Sequence, residues 1–197
     1  MRLFLLPLAL MGALSSFAGT MAVTGGGLLT WSDSRAFTTG WSFSTTGLTV
    51  TALGYFDDGQ DGLLDAHDVG IFASDGTLLV SATVPQGVAG TLNADWRFVA
   101  IAPFTLDAGS YVMGGFSNGY DPIVVAGAAA SAPAVQLGSL SWYTFAGSLS
   151  FPNFSGNVYL NPNFEYERAV TPASATPEPA TWGLAAVALG LLAFRRK

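Results

Sequence analysis

Twelve residues concentrate the charge chemistry of this chain. The stretch "DDGQDGLLDAHD", Asp57 to Asp68, holds five carboxylates and the single histidine of the 197-residue sequence. Like charges packed this closely repel unless water solvates them or a cation bridges them. Counted from Asp57, acids fall at positions 1, 5, 9 and 12 (Asp57, Asp61, Asp65 and Asp68), with Gly62 at position 6. Hard oxygen ligands at such intervals, with a glycine for the sharp turn, suit a calcium ion. A second reading stands beside it: a solvated connection whose Asp-Gly pairs make turns.

The spacing matches most of an EF-hand-type loop and departs from it in three ways. Gly59 occupies the third position, Asp68 replaces the longer Glu at the twelfth, and the flanks read as strands rather than helices. The calcium candidate is therefore a loop between strands, with Asp57, Asp61, Asp65 and Asp68 as its ligands. His67, beside Asp68, invites a catalytic reading. However, no G-x-S-x-G elbow supplies a nucleophile, and cysteine is absent. A single histidine also does not build the usual His-rich zinc site. Carboxylate pairs for glycoside hydrolysis are plentiful, but sequence does not fix their separation in space. The reading is a loop or strand-edge histidine in a protein that is not an enzyme, with no catalytic residues assigned.

Strands must position this loop. "LTVTALGYF" (Leu48 to Phe56) alternates apolar and threonine positions, the period of a half-buried strand. "VGIFA" and "TLLVSATV" flank Ser74-Asp75-Gly76, a hairpin signal because Asp-Gly takes positive φ readily. Further strands are expected at Trp41 to Ser44, Asp95 to Ile101, Ser110 to Phe116, Ser141 to Ala146, Asn157 to Leu160 and Asn163 to Tyr166. Ala126 to Ala134 has helical composition, but Gly127 and Pro133 argue against a helix. Asp107, Gly109 and Tyr111 stand at the spacing of a tyrosine corner; an ordinary tight turn is the alternative. Short strands at close intervals give an all-β fold: a single antiparallel, Greek-key or jelly-roll-like β-sandwich.

The two ends differ from this body. "MRLFLLPLALMGALSSFAGTMA" has one cation at Arg2, an apolar run from Leu3 to Leu14, and small residues after it. That is the plan of a secretory signal peptide over 1-22, cleaved after Ala22 or, as the alternative, after Ala18. At the other end, Thr171 to Pro179 carries three prolines and no large apolar side chain, which makes an extended, accessible linker. Ala180 to Phe194 follows without a charge, and Arg195, Arg196 and Lys197 close the chain. Those fifteen residues reach about 22 Å as a helix, short of the ~30 Å hydrocarbon core. The terminal cations and the boundary Trp182 nevertheless mark a short transmembrane helix with a stop-transfer flank.

Between the ends, the body (23-170) has three cations in its neighbourhood, Arg35, Arg97 and Arg168, and no lysine. Its twelve acids leave a net charge of −9. A basic footprint for nucleic acid is missing. Without disulfides, such a body rests on its hydrophobic core, and about 150 residues suffice for one.

Pro177-Glu178-Pro179, the short apolar helix and the closing basic cluster resemble, in that order, the PEP-CTERM sorting signal of Gram-negative bacteria, also labelled the ice-binding-protein C-terminal motif. The resemblance covers about the last 22 residues. It implies recognition near Pro177, Glu178 and Pro179 by an exosortase-type membrane enzyme, an inner-membrane intermediate, and release to the cell surface or an extracellular polysaccharide matrix. The stretch "DGLLDAHDVGIFASDGTLL" is also similar to β-domains often carried by PEP-CTERM proteins, from about Leu48 to Phe116. Two functions follow. One is a non-enzymatic surface or matrix protein. The other is a carbohydrate-binding module using Trp31, Trp41, Trp96, Trp142, Tyr143 and Tyr120 as flat faces, although rings in a β-sandwich are mostly core. Thr45, Thr46, Thr49 and Thr51 are too few for an ice-binding lattice.

Overall fold

The computed structural model describes residues 19–29, 35–125, 129–155 and 159–168. Trp31, the first eighteen residues, the Pro-Glu-Pro linker and the apolar and basic tail lie outside this set, as does the first half of Asn157 to Leu160.

The chain begins with three short strands, β1 (Thr20–Met21), β2 (Val23–Thr24) and β3 (Gly27–Leu29). Two long ones follow, β4 (Phe37–Thr45) and β5 (Leu48–Phe56), then β6 (His67–Ala73), β7 (Leu78–Val84) and β8 (Thr91–Asn93). The second half contains β9 (Trp96–Leu106), β10 (Gly109–Ser117), β11 (Ile123–Val125), β12 (Ala130–Ser131), β13 (Val135–Phe145), β14 (Phe154–Ser155) and β15 (Pro162–Arg168). All pairings are antiparallel. One sheet runs β1-β15-β5-β9-β8, the other β14-β13-β4-β10-β6-β7, and β11-β3 and β12-β2 form two small ribbons.

The alternation seen in Leu48–Phe56 sends Leu48, Val50 and Ala52 inward, and from Ala52 onward the strand is buried on both faces. The two main sheets share one core. Trp41 of β4 stacks on Phe164 of β15 at 5.9 Å and 10°, and Phe43 of β4 meets the same ring at 5.1 Å. Gly40 lies where an added Cβ would overlap the Met113 carbonyl oxygen of the neighbouring strand, so β4 and β10 approach closely there. At the expected hairpin, Ala73 N–H donates to Thr77 C=O (2.8 Å) and Gly76 adopts φ 91. The Thr77 amide donates to the Asp75 carboxylate (2.9 Å) and holds it below the usual carboxylate range. The tyrosine corner is formed: Tyr111 donates its hydroxyl proton to Asp107 C=O at 3.0 Å.

Sequence reading missed the start of the fold. Thr20 and Met21 pair with Tyr166 and Glu165 on β15, so the sheet begins inside the stretch assigned to the signal peptide. It also missed a polar hub. Asn161 and Asn163 are fully buried. Asn163 accepts from Val23 N–H (3.2 Å) and donates to Val23 C=O (2.9 Å), so its side chain stands in for a strand. Asn161 does the same for the segment at β11, accepting from Val124 N–H (3.0 Å) and donating to Pro122 C=O (2.7 Å).

Leucine at position 161 would keep the volume and orphan both of those backbone groups. At ~1–3 kcal/mol for each buried group left unsatisfied, Asn161→Leu is expected to lower stability by roughly 2–4 kcal/mol. A urea melt with an unchanged slope and a lower midpoint checks this.

Candidate functional site

The acidic loop joins the end of β5 to the start of β6, and two buried ion-pairing centres hold it. Asp57 follows directly on β5 and is buried. Arg97, second residue of β9, donates Nε–H to Asp57 Oδ2 at 2.6 Å, with both side chains almost wholly inside. Three of the four remaining guanidinium protons go to Gln60 C=O (3.1 Å), Gly90 C=O (3.2 Å) and Val88 C=O (3.3 Å). Asp57 in turn accepts Gly62 N–H (3.1 Å to Oδ1). A buried charge survives when it is paired and its other hydrogen-bonding sites find partners, and Arg97 is paired and makes three further bonds. The same residues fix the loop's path. A short 3-10 turn spans Asp58–Gln60, Gly59 and Gly62 take positive φ, and Leu63 and Gly87 exchange backbone hydrogen bonds.

The second centre lies at the loop's other end. His67 opens β6 and is 0% exposed. Its Nε2 lies 2.8 Å from Asp121 Oδ2 and its Nδ1 2.9 Å from Phe116 C=O. Phe116 C=O only accepts, so Nδ1 carries a proton toward it, while Nε2 faces the Asp121 carboxyl group. Asp121 also accepts Leu64 N–H (3.0 Å) and Asp65 N–H (3.2 Å), which ties the loop backbone to it. Tyr55 stacks flat on the imidazole at 3.6 Å and 2°. Burial pushes the Tyr55 hydroxyl well above the usual tyrosine range.

The four calcium candidates are not brought together. Asp57 faces Arg97, Asp61 is exposed, Asp65 is half-buried, and Asp68 sits on β6 accepting from the Thr83 hydroxyl at 2.6 Å. Among the described residues, no group of three or more His, Asp or Glu side chains is placed to hold a metal ion. A cavity of about 310 Å³ opens beside the loop, lined by Gly25, Phe56, Asp58, Asp95 and Val124 among others. Of the candidate sugar-stacking rings, Trp41 and Trp96 are buried, with their indole N–H groups donating to Pro162 C=O (2.8 Å) and Leu160 C=O (3.1 Å). Tyr120 is 65% exposed. Trp142 and Tyr143 fall on β13. The centres rest on Arg97 and Asp121, neither of which sequence reading assigned to the loop. The available signal was Arg97 itself, a lone cation inside an apolar strand of an anionic body.

Arg97→Met leaves the Asp57 carboxylate buried without its counter-charge, a loss of about 3–5 kcal/mol. The double variant Arg97→Met/Asp57→Leu is expected to be less destabilised than the sum of the two single changes, as a double-mutant cycle by urea denaturation would read. His67→Phe keeps a ring on Tyr55 but removes both polar contacts. Faster hydrogen exchange at the Leu64 and Asp65 amides is expected; unchanged protection there would show that the histidine does not hold the loop.

Neither the curated proteins nor the solved structures offer a match to this chain. Residues 175–197 match the family model of the PEP-CTERM protein-sorting motif. With the motif go recognition by exosortase and export. The chain thus carries, after an all-β body, a C-terminal PEP-CTERM sorting motif.

Proposed function

We propose that this protein works outside the cytoplasm as a non-enzymatic surface or matrix component. Its body is a Greek-key β-sandwich, and its tail is a substrate of the sorting enzyme. The observation that carries this reading is the motif match at 175–197. Pro177, Glu178 and Pro179 are the processing site, the apolar run to Phe194 lodges in the inner membrane, and Arg195, Arg196 and Lys197 keep its end in the cytoplasm. Cleavage near the triplet releases the body to the cell surface or polysaccharide matrix. The non-enzymatic reading draws support from His67, whose ring is sealed from solvent with both nitrogens engaged. A general base has to lie within hydrogen-bond reach of a substrate proton. Burial of Trp41 and Trp96 likewise favours this reading over a carbohydrate-binding module.

Full-length protein made in a host with an exosortase is expected to appear in the surface fraction without Arg195 to Lys197. The triple change Pro177→Ala/Glu178→Ala/Pro179→Ala is expected to stay in the inner membrane with its tail. Mass spectrometry of both fractions reads the two termini. A wild-type protein that keeps its tail in the inner membrane would refute the release step.

A further inference from the structure

We infer that the export leader is removed between Ala18 and Gly19, and that Gly19 is the first residue of the mature body. The inference rests on the export reading above and locates a cut that the sequence alone leaves open between two small-residue sites, Ser16-Phe17-Ala18 and Thr20-Met21-Ala22.

The body uses Thr20, Met21, Ala22 and Val23, which a cut after Ala22 would remove or alter. Thr20 and Met21 form the outer strand beside β15. Ala22 is fully buried; its N–H donates to Phe164 C=O at 2.8 Å and its C=O accepts Ala132 N–H at 3.0 Å. Losing these residues exposes the edge of β15 and orphans two backbone groups. Hydrolysis after Ala22 would also convert the Val23 amide into an ammonium. With the preceding residues in place Val23 is 1% exposed, and its nitrogen faces the Asn163 amide oxygen at 3.2 Å. A new ammonium there would put three protons where the fold provides one neutral acceptor.

A cut after Ala18 has none of these consequences. Water adds across the Ala18–Gly19 peptide bond, leaving a carboxylate on the leader and an ammonium on Gly19. Position 19 is half-exposed, so that charge stays hydrated. It also requires glycine, because an added Cβ would lie 2.9 Å from Glu165 Cβ and 3.1 Å from Thr51 Oγ1. Gly19 thus belongs to the fold and stands directly after a small-residue cleavage signal.

The test is N-terminal sequencing of the full-length protein after export, in wild type and two variants. Wild type is expected to begin at Gly19. Ser16→Gln places a large residue in the signal before Ala18, and a loss of the Gly19 terminus is expected. Thr20→Gln alters an exposed position in the signal before Ala22 and is expected to leave the Gly19 terminus unchanged. A wild-type protein beginning at Val23, or a Gly19 terminus that survives Ser16→Gln, overturns the inference while leaving export intact. An untrimmed protein in the cytosol overturns the export reading and this inference together.

Discussion

Burying a backbone amide without a partner costs about 1–3 kcal/mol, and the centre of this protein avoids that penalty largely through Leu160 to Phe164. Two tryptophans from different sheets point their indole N–H groups at carbonyls of this run, Trp41 at Pro162 and Trp96 at Leu160 and Asn161. Phe56 N–H reaches Asn161 C=O, and Leu160 N–H reaches Val124 C=O. The two asparagines then accept and donate to segments that β15 does not pair as strands. Phe164 closes the run by stacking on Trp41. Removing this stretch would leave large rings, two sheet ends and two crossing segments without partners at once.

Charge obeys the same rule at the loop. A body at −9 with three cations has little means of neutralising a buried acid, so the acids buried at the loop have defined partners. Arg97 neutralises Asp57, and His67 faces Asp121. Both pairs bracket the loop, one at each end, and both also collect backbone groups from it. The remaining acids stay toward solvent, where their repulsion is weakened by water. What looks in one dimension like a cation site is, in three, two internal clamps with solvated carboxylates between them.

How much of this could be read from the chain follows from the range of the forces involved. Period-two alternation and the Asp-Gly turn are local, so β5, the β6–β7 hairpin and the strands around Trp96, Tyr111 and Phe164 were legible, and Tyr111 makes its corner through a carbonyl four residues away. β1 and β2 were not, because Thr20 to Thr24 has strand character only through partners on β15 and β12. The ion pairs join residues 40 and 54 positions apart. No spacing rule reaches that far, and the regular intervals of Asp57, Asp61, Asp65 and Asp68 suggested a shared ligand where the fold turns the first carboxylate inward and seats the last on a strand. Asn161 and Asn163 read as strand or turn residues because nothing in the sequence reveals that an amide is buried.

The pairing of β1 with β15 joins the two ends of the body, with Thr20 opposite Tyr166. Contacts of such sequence separation form late, since loop closure must precede them. The five-stranded sheet therefore cannot close until the chain has been delivered through Arg168, and the sorting motif begins only seven residues further on. At that moment the apolar tail is the next segment to follow. Completion of the body and the start of the sorting motif are thus adjacent along the chain. That edge brings the first and last described strands of the body side by side. Each end of the described body is held by the other, and the interior hub of Leu160 to Phe164 lies at the start of the strand that closes it.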